Sequence, residues 1–377
     1  MPLGPSNSSN GQTPATQQLS SVGNPRFNVI VVGVAASLIC LIGLRQFSDI
    51  IAPLFLAINL MITAYPLHSW LVRKGAPSWL SAMVVSLTVF AVLIAMVAGL
   101  VWSVTEMIGI LPQYADEFNA LYRQIEQFAV NTLNFDGAAM SKMLASLDPT
   151  RFIGAATSVL SASSSLLALI GVILAAIVFM AMDTPGLERR MVLLNENRSR
   201  IAAGIGNFAH GVRRYWLVTT VFGLIVAVFD AVALAIMGVP LVVVWGIFSF
   251  LTNYIPNIGF VIGLIPPTVV ALFANGWQSA VLVILLYSVL NFVIQTIIQP
   301  RFAGESVGVT PTVSFASLLL WASVLGGMGT LLALPMTLLV KSLIIDLDPR
   351  ARWINALIAS DSKDAEPPDE YQPGDDD

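Results

Sequence analysis

The sequence predicts an all-α polytopic membrane protein with about six full crossings and two broken, re-entrant helical hairpins. Three observations carry this reading. The chain is 56% hydrophobic and 11% charged, whereas soluble domains carry roughly 25% charged residues. Apolar runs recur at ~20 residues, the length a helix needs to cross hydrocarbon. Finally, between Ala231 and Val340 only Arg301 and Glu305 are charged, yet Gly, Pro, Asn and Gln interrupt the stretch. Backbone that leaves the helix inside a bilayer must be buried in protein or line a wet cavity, because lipid satisfies no freed N–H or C=O.

Taken in order, full crossings are expected near Phe27–Leu44, Ile50–Leu71, Trp79–Val104, Ala155–Met182, Tyr215–Met237 and Trp277–Ile298. Two further apolar regions, Leu241–Leu272 and Thr312–Ile345, split into pieces of about 12–17 residues, short for a crossing. The first breaks at Pro256 and Gly259, the second at Gly326, Gly327 and Gly329. One unit reads Gly238-Val239-Pro240, then its break, then Pro266-Pro267. The other reads Gly308-Val309-Thr310-Pro311, its break, then Pro335. Each follows one span and enters from the opposite face, the form of an inverted repeat.

Orientation follows the Lys and Arg content of short loops. Arg189, Arg190, Arg198, Arg200, Arg213 and Arg214 place residues 183–214 in the cytoplasm, and Arg73 and Lys74 share that side. With both broken units returning to the face they entered, Arg301, Lys341, Arg350 and Arg352 also finish inside. Two full crossings in place of either hairpin preserve that parity, so only the short half-helices favour re-entry. Both termini are then cytoplasmic.

The domain order is a polar, disordered tail at 1–26, three crossings over 27–104, an extracytoplasmic segment at 105–154, and a fourth crossing at 155–182. The basic segment at 183–214 precedes a transport unit at 215–346, and a tail at 347–377 turns acidic and disordered. In the outer segment, Leu111, Tyr114, Phe118, Leu121, Ile125 and Phe128 recur at helical spacing. That pattern suits a cap packed on the membrane domain or a lever coupled to gating.

Several chemistries are excluded or unsupported. Cys40 stands alone, and His68 and His210 are isolated, so no Cys-based metal site or intrachain disulfide is available. Gly204-Ile205-Gly206-Asn207 follows an Arg-rich stretch instead of a strand, so it is no dinucleotide turn. Walker A, HExxH and GxSxG sequences are absent. No catalytic residue, metal, cofactor or nucleic-acid partner is expected, and the chain reads as no enzyme.

Polar residues within the hydrocarbon point instead to a solute path. Asn291, Gln295 and Gln299 recur at i, i+4 and i+8, which suits either interhelical hydrogen bonding or a polar substrate lining. Asn253 and Asn257 flank the first break and add donors and acceptors. Asp230 is the one acid well inside a predicted crossing; a costly buried carboxyl is a candidate for proton or ion coupling. Its alternative role is to fix helix register. Gly259-Phe260-Val261-Ile262-Gly263 is also a GxxxG close-packing pattern.

The combined pattern resembles the AI-2E family of transporters, named for autoinducer-2 export, over roughly Phe27 to Arg350. The marks are Met182-Asp183-Thr184-Pro185-Gly186 with Arg189-Arg190, and Gly238-Val239-Pro240 before Ile255-Pro256-Asn257-Ile258-Gly259. Gln299-Pro300-Arg301-Phe302-Ala303-Gly304 and Gly326-Gly327-Met328-Gly329 before Ala333-Leu334-Pro335 complete them. The family commonly has a bulky residue and Val-Gly after this Ile-Pro, where the present chain has Asn257-Ile258-Gly259. The resemblance implies a multi-pass carrier of the bacterial inner membrane, without an ATPase. It implies a homo-oligomer, such as a pentamer, with broken hairpins in an elevator-like moving unit.

The expected function is secondary transport of small polar solutes such as autoinducer-2, probed as export by alternating access. Asn253, Asn257, Asn291, Gln295 and Gln299 would line the path, with H+ coupling through Asp230. The alternatives are a Na+/H+ antiporter of the same family and a passive oligomeric channel or scaffold.

Overall fold

The computed structural model describes residues 25–114, 163–256, 258–299 and 309–347, with isolated positions between 115 and 162 and Ile358. The expected polar tails, most of the outer segment, Asn257, and residues 300–308 lie outside the described residues. The described chain is helical, with no strand among its elements.

Helix α1 (Pro25–Gln46) is separated from α2 (Ser48–Arg73) by Phe47 alone. A turn with Gly75 at φ 94° leads to α3 (Ser78–Ile110), which tightens into a 3-10 turn at Leu111–Tyr114. Helices α4 (Ser163–Asn197) and α5 (Ser199–Ile236) meet at Arg198. The arginines of residues 183–214 therefore lie along two long helices that meet at Arg198.

The link from α5 to α6 (Val242–Thr252) is sharp. Gly238 turns at φ 68°, and Leu241 takes φ 61°, a left-handed conformation that costs a residue with a Cβ roughly 1–2 kcal/mol. Two bonds hold it: the Trp245 amide donates to Leu241 O (3.1 Å), and the Trp245 indole donates to Pro240 O (2.8 Å). Helix α7 (Gly259–Asn275) follows, then α8 (Trp277–Asn291), which widens into a π-helical turn at Phe292–Ile298. Thr310 caps α9 (Pro311–Val340) by accepting from the Val313 amide, and Pro311 occupies the first turn where no N–H is needed. A second π-helical turn, Lys341–Ile345, ends it.

Both broken units fold back on themselves. In hairpin 1, α6 and α7 close so tightly that a Cβ on Gly259 would stand 2.0 Å from Thr252 O, and one on Gly263 2.8 Å from Thr252 Oγ1. The GxxxG pattern thus seats the second arm on the first. In α9, Gly326 leaves helical geometry at φ 63° and ψ −143°. Twenty residues of straight helix would span about 30 Å, yet the hydroxyls of Ser317 and Thr337 share a hydrogen bond. Helix α9 is therefore hairpin 2, and a Cβ on Gly329 would stand 1.8 Å from Trp321 O.

By length and composition, five stretches among the described residues suffice to cross a membrane: Ser48–Arg73, Ser78–Tyr114, Ser199–Ile236, Trp277–Ile298 and Pro311–Ile345. The fold-back at Gly326 divides the last into two shorter arms. The expected crossings near residues 27–44 and 155–182 fall on α1 and, from Ser163 onward, on α4. Large apolar side chains such as Leu87, Leu217 and Leu285 are exposed over α3, α5 and α8, as expected where lipid is the solvent. The chain is a multi-pass membrane protein.

One buried cluster joins Phe55 and Leu56 of α2, Ile177 of α4 and Trp216 of α5 to Tyr254 at the tip of hairpin 1 and Leu325 at the tip of hairpin 2. The tips of both breaks therefore contribute to the same core. A second cluster gathers the base of hairpin 1 around Trp245, Leu234, Ala271 and Tyr287.

Candidate substrate and coupling site

The polar residues of hairpin 1 face two neighbours, α5 and α8. Asn253 ends α6, and its Cβ lies 3.5 Å from where a Cβ on Gly223 of α5 would stand. That small residue lets the break approach α5. Opposite, the Gln295 side-chain amide donates to Asn291 Oδ1 (2.8 Å) and to Asn253 Oδ1 (3.3 Å). Asn291 in turn donates to Tyr287 O (2.8 Å) on its own helix. Three amides from two elements thus form one chain of hydrogen bonds.

The direction of that chain decides its chemistry. Both Asn oxygens are occupied by the Gln295 amide, whereas Asn253 Nδ2 is a buried donor with no partner. An unmade buried hydrogen bond costs about 1–3 kcal/mol. The arrangement therefore suits a ligand that accepts hydrogen bonds, such as a hydroxyl or carbonyl oxygen.

Gln299 does not join these hydrogen bonds. It caps the π-helical turn, whose wider i→i+5 repeat carries it out of the α-helical register set by Asn291. Asn257 lies outside the described residues. Pro256 sits in the turn between the arms, with its carbonyl accepting from Ile258 N at 2.7 Å. Gly259 and Gly329 are required by the close approaches described above and Gly326 by its backbone, but a Cβ on Gly327 would meet open space.

Asp230 is fully buried on α5. Its Oδ2 accepts from Ser249 Oγ of α6 at 2.7 Å, and its Oδ1 has no hydrogen-bond partner. The Tyr287 hydroxyl, also buried and unpartnered, lies within electrostatic reach of this carboxyl. Sequence reasoning missed Ser249 and Tyr287. A signal existed for Tyr287, which extends the Asn291 and Gln295 series by one four-residue step toward the N-terminus. Ser249 carried none, since a lone serine in an apolar run bonds its own helix as readily as a neighbour.

A profile of the AI-2E family of transporters matches residues 29–348. The chain belongs to this family. Among its relatives, YhhT of Escherichia coli K12, named as a transport protein, is 30% identical over 314 residues, covering 83% of this chain and 89% of YhhT. The AI-2 transport protein TqsA of the same organism is 28% identical over 313 residues, 83% of this chain and 90% of TqsA. YrrI of Bacillus subtilis, again named as a transport protein, is 25% identical over 305 residues, 78% and 86% of the two chains. As an AI-2E family member the protein is a transport protein, not an enzyme.

Proposed function

We propose that this AI-2E family protein is a secondary carrier that exports small polar solutes by alternating access, with hairpin 1 as the element that moves. The observation that carries the reading is the amide chain Asn291–Gln295–Asn253, which ends in an unpartnered buried donor beside a helix break. Broken helices near the midplane are where secondary carriers hold their substrates. An oxygen-rich solute would satisfy Asn253 Nδ2. Autoinducer-2, a furanosyl polyol, is the first solute to test, since TqsA is named for transport of AI-2.

The same reading places the protein in the bacterial inner membrane as a homo-oligomer, with both termini in the cytoplasm and H+ as the coupling ion. The test is uptake of labelled autoinducer-2 into proteoliposomes, with and without an imposed proton gradient. Saturable flux that falls at least tenfold in Gln295→Ala, with an unchanged melting temperature, is the expected result. Flux that rises linearly with solute would identify a channel, and unchanged flux in Gln295→Ala would remove the amide chain from the solute path.

Buried Asp230 supports a second reading, Na+/H+ antiport. Proton movement driven by a Na+ gradient in the absence of organic solute, and lost in Asp230→Asn, would favour it.

A further inference from the structure

Asp230 of α5 and Tyr287 of α8 each carry a buried oxygen without a hydrogen-bond partner, the two groups interact electrostatically, and the carboxyl is bonded to Ser249 of α6. Among the described residues the surroundings offer no countercharge: α3, packed against α6, carries only Glu106, and its 3-10 turn only Tyr114. Helices α6 and α7 contain no ionisable side chain, α8 contains only Tyr287, and the arginines of α5 end at Arg214. Sixteen residues separate Arg214 from Asp230, about 24 Å along a helix. A carboxylate with one hydrogen bond and no cation is a poor occupant of such a site. A neutral carboxyl fits it: Oδ2 accepts from Ser249, and no charge is left unmatched.

The second observation is positional. Ser249 is one helical turn before Asn253, and the Asn253 backbone N–H donates to Ser249 O (3.0 Å). Tyr287 is one turn before Asn291, whose side chain donates to Tyr287 O (2.8 Å). The carboxyl site and the amide chain are therefore built on the same two elements, one turn apart on each.

We propose that Asp230, Ser249 and Tyr287 form a proton-binding latch, closed on hairpin 1 when Asp230 carries a proton and released when it is lost. On release the Oδ1–H bond breaks, the proton passes to water, and its bonding electrons stay on the carboxylate. The charged group then needs more donors than Ser249 and Tyr287 supply. Water must enter between α5 and α6, which loosens the first arm of hairpin 1 and, one turn on, the amide chain. The latch deepens the carrier reading and rests on it for its meaning, but not for its test.

The test is hydrogen exchange on the purified full-length protein in detergent, from pH 5 to pH 9, without solute. Protection of residues 241–255, corrected for intrinsic exchange, should fall as pH rises, while residues 311–340 stay unchanged. Asp230→Asn, a lasting mimic of the neutral carboxyl, should hold hairpin 1 protected throughout. Ser249→Ala and Tyr287→Phe each remove a donor that favours the charged form more than the neutral one. Each should move the midpoint to higher pH by about one unit, a tenfold change in proton affinity.

A midpoint unmoved in both variants, or the same pH dependence in Asp230→Asn, overturns the latch. Should Asp230→Asn fail to fold, the Ser249→Ala and Tyr287→Phe midpoints decide alone. Absent autoinducer-2 flux with intact pH-dependent protection would reject the solute and keep the latch. Intact flux with flat protection would do the reverse.

Discussion

Hairpins 1 and 2 are both broken helix pairs closed by a glycine against a carbonyl, yet they spend their polar groups differently. In hairpin 2 the Ser317 hydroxyl bonds Ala333 O at 2.9 Å and the Thr337 hydroxyl, which also accepts from the Trp321 indole at 3.1 Å. Donors and acceptors there close on each other across the two arms. Hairpin 1 turns its polar groups outward, Ser249 to Asp230 on α5 and Asn253 to Gln295 beyond α8, and leaves Asn253 Nδ2 unmatched. A hairpin satisfied within itself is a brace, whereas one satisfied by its neighbours can exchange those partners for a ligand. The same local motif thus serves two purposes.

What the hairpins share should give the largest effect. Gly259→Ala and Gly329→Ala would each place a methyl about 2 Å from a backbone carbonyl, at 2.0 and 1.8 Å. Backbone cannot yield that distance without opening the turn. Both variants should fail to fold or lose melting transitions in detergent, whereas Gly327→Ala should melt like the parent. Normal melting of Gly329→Ala would mean that the second turn is not closed as described.

The next effect separates the hairpins. Asn253→Ala should lower solute flux strongly with little change in melting temperature, since it removes an unmatched donor and a long 3.3 Å bond while Gln295 keeps its 2.8 Å bond to Asn291. Ser317→Ala combined with Thr337→Val should do the opposite. Leaving the Trp321 indole without its acceptor costs about 1–3 kcal/mol, so the melting temperature should fall while KM stays unchanged. Parallel losses of flux and stability in both hairpins would erase the distinction between brace and site.

The breaks were legible because Gly and Pro interrupt hydrocarbon-length apolar runs, and few other causes put them there. Asn291 and Gln295 were legible by spacing, and Asp230 by its isolation among apolar residues. Gln299 was not separable from them, because spacing assumes an α-helical repeat and nothing in Phe292–Ile298 announces a π-helical turn. Ser249 was hidden for a different reason. Its partner lies nineteen residues away on another helix, and only tertiary packing makes that pair. The Gly259 and Gly263 pattern was visible, but its partner, the first arm of its own hairpin, was not.

The smallest expected effect sharpens the comparison furthest. Besides Ser249, a second hydrogen bond ties the working hairpin to α5: the hydroxyls of Tyr254 and Thr220 stand 2.9 Å apart. Thr220 also bonds Trp216 O at 2.7 Å, so its proton is committed there and Tyr254 is the donor between the two side chains. Side-chain hydrogen bonds between membrane helices average ~0.6 kcal/mol, because the unfolded chain in lipid also finds partners. Thr220→Val and Tyr254→Phe should each destabilise modestly, and their double-mutant cycle should return a coupling of about that size. A weak tie is what a moving hairpin requires, since each transport step must break it. A coupling of several kcal/mol would mark hairpin 1 as fixed to α5 and transfer the moving role to hairpin 2.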